Sequence, residues 1–433
     1  ETSLQSSALF MLHTYPMSDQ ALFQQHVKWG KHFVKVLREI HPDVNFQFSR
    51  PSGVAPKLKI GYVSPDFCRH SVGWFFSRMA SFHDPSRIEI TCYYTASGED
   101  DLTREIKETV YAFKHREDRD SLGLAEEIYN DGIHVLVDLA GHTQGNRLDV
   151  FALRPAPVQV TMLGYPNGTG LKTMDYRITD PFGETASSRS CCLEEHVVLP
   201  SGFLPFYPIE CSKETVTRKD LGLPEEGVLL VSFNRAGKLR PEVLTLWNLI
   251  LRRCPDTVLA LGCGYVQRAD LRTNILSYFE TGNRKRVFFL EREEREEMHR
   301  SRYAIADLAL DSFPYAGTTT SYEALQMGVP VITLVGERHV QRTTYSILRH
   351  LEMDETIAHS EDEYVEKAAA LIENNYFLKR TKEKLIGTRE RIVKTQTFNF
   401  VRELEKAYQI MWERYSKGVT PSEIHFLADH RDR

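Results

Sequence analysis

Hydrophobic positions along this chain recur in two periods, and the period changes where Gly and Pro interrupt it. From Ala21 to His41 the apolar residues fall at helical spacing, with Phe23, Val27, Trp29, Phe33, Val36 and Leu37 offered to one face. RPSGVAP (50–56) breaks that pattern. Short, nearly continuous apolar runs follow: KLKIGYVS from Lys57, IEITCYYT from Ile88, HVLVDLAG from His134 and VQVTMLGY from Val158. They read as buried strands, with VGWFFSRMASF from Val72 as a helix between the first two. Strands alternating with helices predict a parallel sheet covered on both faces.

From Pro181 to about Pro224 helix signals are few, and the stretch reads as an interdomain connection. A second strand series then begins: VLLVSF (228–233), TVLALG (257–262), RVFFLE (286–291), DLALD (307–311) and PVITLVG (330–336). The segment FNFVRELEKAYQIMWERYSKG reads as an amphipathic helix with Phe400, Leu404, Ala407, Tyr408, Met411 and Trp412 on one side. The expected organisation is a helical segment over 1–50 and a Rossmann-like half over 57–205. A linker over 206–224, a second Rossmann-like half over 225–395 and a C-terminal helix over 396–418 complete it. Two doubly wound α/β domains in series place a ligand in a facing cleft, at the carboxyl ends of their strands. GT-B glycosyltransferases, some epimerases and several sugar phosphorylases share that plan, so fold class alone does not choose among them.

Composition narrows the choice by exclusion. A net charge of −5 over 433 residues argues against a general affinity for nucleic acid or anionic membrane. No apolar run reaches transmembrane length. The seven cysteines (Cys68, Cys92, Cys191, Cys192, Cys211, Cys254 and Cys263) are irregularly spaced, and no CxxC occurs. That pattern fits small apolar residues in a reducing compartment better than a disulfide framework or zinc site. The chain begins on Glu1 rather than Met and reads as a piece of a longer protein.

The candidate chemistry lies just past the expected strand ends. In LALDSFPYAGTTTSYEALQMGVPVITL (308–334), Gly317, Thr318, Thr319 and Thr320 open a helix between two strands. A helix start offers unpaired N–H groups and the positive end of the helix dipole, which suit a diphosphate. Glu323, six residues after Gly317, could reach a ribose hydroxyl. An ordinary β–α unit with Thr as N-cap is the plain alternative, and pattern alone leaves the two even. His70 in SPDFCRHSVGWF stands where a histidine could polarise or deprotonate an acceptor, or simply cap a helix. His142 in DLAGHTQGNR and Pro166 in GYPNGTG lie in Gly-rich loops that permit close approach to a ligand, or are plain turns. Lys238 in SFNRAGKLRP could neutralise charge growing on a leaving diphosphate, or be a surface lysine. His299 and Arg302, three apart, could meet a nucleobase and a phosphate from one helix face. No DxD motif stands at a strand end, so no divalent metal is expected; Lys238 and the helix start would supply the positive field.

Together these segments resemble the catalytic region of the protein O-glycosyltransferases that include O-GlcNAc transferase and the plant protein SPINDLY, a protein O-fucosyltransferase. The resemblance runs from about Leu9 to Gly418 through SPDF..HS, DGIHVLVDLAGHT, RPAPVQV, GYPN.TG, DYRITD, SFN...K, D.FPYAGTTT and MGVP.IT, in the family order. It implies a GT-B fold, inversion at the anomeric centre, no metal and no cofactor beyond a nucleotide-sugar donor. Family members carry tetratricopeptide repeats before this region, and the N-terminal helices look like the end of such an array. The GHT, GYPN and FPYAGTTT segments look more like SPINDLY.

The resemblance also implies roles. His70 matches the histidine near donor and acceptor, and Lys238 the diphosphate contact. Thr319 and Thr320 match the phosphate-binding helix start, Glu323 the ribose contact, and His299 and Arg302 the base- and phosphate-side contacts. Tyr315 falls where O-GlcNAc transferases place a small residue near the N-acetyl arm, which favours a 6-deoxyhexose. Two positions depart from the pattern: Arg235 replaces an amide residue, and VLALGCG (258–264) lacks a basic residue after its strand. The expected activity is inverting transfer of fucose from GDP-fucose to Ser or Thr of cytoplasmic or nuclear proteins. A homodimer would form through repeats upstream. O-GlcNAc transfer from UDP-GlcNAc is the same-class rival, and a non-catalytic binding module the rival from another class.

Overall fold

The computed structural model describes residues 2–15, 17–50, 57–207, 212, 214–262 and 268–426. The chain divides into two compact units: residues 1–13, 17–207 and 395–433 form the first, and 14–16 with 208–394 the second.

In the first unit seven strands appear in chain order: β1 (Leu58–Ser64), β2 (Ile88–Tyr94), β3 (Ala112–His115), β4 (Val135–Asp138), β5 (Val158–Thr161), β6 (Tyr176–Thr179) and β7 (Glu195–Val198). A short strand, Ile424–His425, adds to β7. The sheet order is Ile424–His425, β7, β6, β5, β4, β1, β2, β3, and the pairs are parallel. Parallel strands covered on both faces need apolar side chains on both, which is why these runs hardly alternate. The direction of winding reverses between β1 and β4.

Two helical layers cover the two faces. On one face, Ile60, Tyr62, Val135 and Val137 pack with Phe400, Leu404, Tyr408, Met411 and Trp412. On the other, Val63 and Leu136 pack with Leu9 of α1 (Thr2–Leu12) and with Trp29, Phe33 and Leu37 of α2 (Asp19–Ile40). The N-terminal helices are therefore built into the core of this unit. The stripe that α2 buries is Leu22, His26, Trp29, Gly30, Phe33 and Leu37. Phe23, Val27 and Val36, expected on that face, are only half-buried. A histidine takes the inner position because both its ring nitrogens find partners there.

The second unit winds β8 (Val228–Ser232), β9 (Thr257–Leu261), β10 (Val287–Phe289), β11 (Leu308–Leu310), β12 (Val331–Leu334) and β13 (Ile357–Ala358) into a sheet of order β10-β9-β8-β11-β12-β13. Here the reversal lies between β8 and β11. A doubly wound sheet opens a crevice at such a point, and ligands bind there.

Three features of the sequence reading change. The stretch read as a connection contains β7 and a helical turn, Ala186–Arg189, and the first unit continues through it to Tyr207 before resuming at Thr395. The C-terminal helix starts at Asn375 instead of 396 and runs 42 residues to Ser416. Gly387 inside it meets nothing within 4 Å, so it interrupts no packing and does not end the helix. Of the cysteines, Cys92 and Cys254 are buried while Cys68, Cys191 and Cys192 are half-buried; Cys211 and Cys263 lie outside the described residues.

Candidate active site

The two chain segments that leave β8 and β11 at the reversal of the second sheet meet each other. After β8 the chain passes Asn234 and the exposed Arg235 into a 3-10 turn, Ala236–Lys238. After β11 it runs through Asp311 and a cis Phe313–Pro314 bond to Tyr315, Ala316 and Gly317, then enters the helix Thr319–Gln326. The Lys238 ammonium donates to the Ala316 carbonyl at 2.8 Å and lies over the Tyr315 ring, 4.0 Å from its centroid. Lys238 is thus pinned to the turn that precedes the helix start, half-buried rather than loose on the surface.

The helix start is braced from several directions. Thr320 Oγ1 donates to Asn234 Oδ1 at 3.1 Å, and the Tyr303 hydroxyl donates to the Thr320 carbonyl. Thr343 and Thr344 hydroxyls donate to the Gly317 carbonyl at 2.6 and 2.9 Å. Thr318 occupies the N-cap position but makes no side-chain capping bond, so the plain N-cap reading does not describe it. A Cβ on Gly317 would lie 2.1 Å from Ser321 Oγ and 3.0 Å from Asp311 Oδ1, so any larger residue would displace the Ser321 hydroxyl. A small cavity here is lined by Ser232, Asn234, Tyr303, Asp311, Thr320 and Ser321 among others.

Asp311, which the sequence reading passed over, organises this turn. Its Oδ1 accepts from the Gly317 N–H at 2.7 Å and the Ser312 N–H at 2.9 Å; its Oδ2 accepts from Thr333 Oγ1 at 2.8 Å. Burial pushes its carboxyl up, and the hydrogen bonds with the Lys238 charge pull the other way. The signal available in sequence was an acid closing an apolar strand, LALD, six residues before the turn glycine.

Burial also lowers Lys238 to about 8, with Asp311 opposing and Arg235 assisting. A diphosphate bound beside Lys238 would favour the charged ammonium, so its affinity is expected to be full below about pH 8 and to fall as pH rises through it. The limiting slope is about tenfold per pH unit, for one proton per site. Calorimetric titration with a nucleoside diphosphate from about pH 7 to about pH 9 checks this, and Lys238→Met should flatten the curve.

Beside the helix, Glu323 lies 3.6 Å from Arg300 Nε and 3.8 Å from His299 Nε2. Burial pushes Glu323 up to about 7, against Arg300. His299, on Glu296–Ser301, is brought down to about 4 by burial, then by Arg302 and Arg300. A neutral imidazole makes no ion pair at neutral pH, so that 3.8 Å contact is not a salt bridge. Arg302 begins a separate 3-10 turn and donates to the Glu291 carbonyl at 2.6 Å; it does not join Glu323. Residues 263–267, which include part of the segment lacking a basic residue, lie outside the described residues.

In the first unit, His70 is the N-cap of the helix Ser71–Phe82, just past β1. Its Nδ1 accepts from the Val72 N–H at 3.3 Å and stands 3.5 Å from Asp66 Oδ1. The two partners compete. As a cap, Nδ1 is bare and the neutral ring carries its proton on Nε2; turned to Asp66, Nδ1 carries the proton and Nε2 is free to act as a base. His142 is differently placed: it is buried, with Nδ1 bonded to Ser6 Oγ and Nε2 to the Thr169 carbonyl. A donor contact through either nitrogen would displace one of those bonds. Pro166 is half-buried in the loop after β5.

Among solved structures, an O-GlcNAc transferase mutant from Thermobaculum terrenum superposes with a TM-score of 0.87 at 30% identity, covering 96% of this chain and 78% of that one. Two parallel α/β units in series, with a lysine-backed helix start at the second sheet's reversal, give the protein the GT-B fold. The model of glycosyl transferase family 41 matches residues 8–204 and 210–404, and the chain belongs to that family. The Hordeum vulgare and Oryza sativa proteins named UDP-N-acetylglucosamine–peptide N-acetylglucosaminyltransferase SPINDLY are 34% and 36% identical over 98% and 93% of the chain. The Arabidopsis thaliana SEC protein is 29% identical over 88% of it. The chain spans less than half the length of these relatives: 45%, 44% and 40%.

Proposed function

We propose that this chain is the catalytic region of an inverting protein O-fucosyltransferase, moving fucose from GDP-fucose to Ser or Thr hydroxyls of intracellular proteins. The observation that carries the sugar assignment is the Tyr315 ring against Lys238, 4.0 Å from ammonium to centroid. The ammonium stands where a diphosphate would be neutralised. The ring takes up space beside it, and a donor sugar lying next to that diphosphate would have less room for an N-acetyl arm. A 6-deoxyhexose needs less of it.

In the reaction, the acceptor oxygen forms a bond to the anomeric carbon as the bond from that carbon to the diphosphate breaks. The hydroxyl proton passes to a base, for which His70 in its Asp66-paired tautomer is the candidate. The negative charge lands on the diphosphate, where Lys238 and the helix start at Thr319 and Thr320 stabilise it. No metal is invoked in this scheme.

A second reading is O-GlcNAc transfer from UDP-GlcNAc, favoured by the donor in the relatives' own names. Thermal unfolding with GDP or UDP separates the two. A bound nucleotide at about a hundredfold excess over its Kd stabilises by about 2.7 kcal/mol. Stabilisation by GDP alone is expected, and stabilisation by UDP alone would sink the fucose assignment. Mass spectrometry of a Ser/Thr-rich peptide mixture offered both donors names the sugar by added mass. Tyr315→Ala should raise acceptance of N-acetylated donors.

A further inference from the structure

The first unit holds a buried polar cluster for which the scheme above has no use. His13 follows α1, His26 lies on α2, and His142 and Tyr165 come from the loops after β4 and β5; their exposures are 1, 2, 1 and 5%. Their partners fix the direction of each hydrogen bond. His26 Nδ1 lies 2.8 Å from the Leu22 carbonyl, which can only accept, so Nδ1 carries the proton and Nε2 of the neutral ring is bare. The Tyr165 hydroxyl, 2.7 Å from that Nε2, donates to it, and its oxygen accepts from His13 Nε2 at 2.9 Å. A second chain runs beside the first. His142 Nε2 donates to the Thr169 carbonyl at 2.8 Å, so its Nδ1 accepts from Ser6 Oγ at 2.7 Å; Ser6 Oγ in turn accepts from Asn146 Nδ2 at 3.2 Å.

Both chains require neutral rings. Burial lowers His26, with the facing Glu194 opposing, and brings His142 down to about 3. Glu194 Oε1 is itself taken by the Thr169 N–H and hydroxyl at 2.6 and 2.5 Å. The backbones touch as well. A Cβ on Gly30 of α2 would lie 2.0 Å from the Gly170 carbonyl oxygen, and one on Gly170 would lie 2.4 Å from that of His26.

We propose that these two hydrogen-bond chains make α1 and α2 part of the catalytic apparatus, with Tyr165 as a positioning residue that ties the 163–170 loop to His13 and to α2, while His142 ties the 139–147 loop to Ser6 of α1 and to Thr169. The effect of Tyr165 on turnover rests on the glycosyltransferase reading above; its effect on the loop does not. The loops lie past the carboxyl ends of β4 and β5, beside the reversal of the first sheet, where displacement of about 1 Å can cost about a hundredfold in rate.

The test is Tyr165→Phe, which keeps the ring packed against His13, His26 and His142 and removes only the hydroxyl. Hydrogen exchange of the free variant should be faster by about tenfold in the 163–170 loop, and kcat should fall by about tenfold to a hundredfold. Side-chain nitrogen NMR of the parent should show His26 protonated on Nδ1, and His13 and His142 on Nε2; the variant should move His13 and His26 and leave His142. His142→Phe should open the 139–147 loop through the second chain. Unchanged exchange in Tyr165→Phe overturns the proposal, whatever the activity. Faster exchange with unchanged kcat and KM overturns the positioning role. A parent without turnover on any nucleotide sugar would defeat the functional reading instead, and the exchange and NMR results would still decide the coupling.

Discussion

Replacing Lys238 by Ala should lower kcat by about 10²–10³-fold while the protein stays folded. The ammonium is held against the turn that precedes the helix start, through the Ala316 carbonyl and the Tyr315 ring. In the proposed reaction its work would be greatest when the sugar–phosphate bond breaks and charge collects on the leaving group, so the loss belongs in kcat as well as in donor affinity. Lys238→Arg should rescue little. A guanidinium is a planar fork, and this niche between a carbonyl and an aromatic face is shaped for a compact ammonium. Turnover by mass spectrometry, with a melting curve as the folding control, decides the matter. A Lys238→Ala variant that kept its melting temperature and nearly its full kcat would leave the leaving-group role without support.

Asp311→Ala should be the most destabilising single change in the second unit's turn. It strands the Gly317 and Ser312 N–H groups and the Thr333 hydroxyl, all of which donate to the carboxylate. Each buried donor left without an acceptor costs about 1–3 kcal/mol. A loss of several kcal/mol should appear in denaturant unfolding. Asp311→Asn separates shape from charge. Its side-chain oxygen can still accept from Gly317, so stability should largely return. The negative charge that holds Lys238 up does not return, so Lys238 should drop further below about 8. Nucleotide affinity would then begin to fall at lower pH than in the parent. An Asp311→Asn variant with an unshifted pH profile would show that the two groups are not electrostatically linked.

The strands set in longer apolar runs were legible in sequence because burial on both faces leaves a run that little else produces; β1, β2, β4 and β5 fall within the runs read for them. The strands AFKH, YRIT and EHVV were not, because two apolar residues in four carry no clear period. Their neighbours in the sheet decide them. The turn around Gly317 was legible as a helix start, and Lys238 as a residue past a strand end. That the two segments meet was not legible, since the order β8-β11 is a tertiary fact. His142 shows the opposite limit. A histidine in a Gly-bracketed loop reads as a ligand contact, and only the coordinates show Ser6 and Thr169 holding both its nitrogens. His26 was hidden for a related reason: hydropathy assigns a histidine to the outside of a helix, while hydrogen bonds to Leu22 and Tyr165 permit it inside.

The helix Asn375–Ser416 begins in the second unit and ends in the first. Synthesis proceeds from the amino terminus, so on a ribosome β1 to β7 emerge long before Phe400, Leu404, Tyr408, Met411 and Trp412, which share their core. Until those residues leave the exit tunnel, one face of the first unit's sheet is an open apolar surface that a chaperone could hold. The first unit to be made is therefore among the last to be finished, and a stop codon late in the second unit would leave both incomplete.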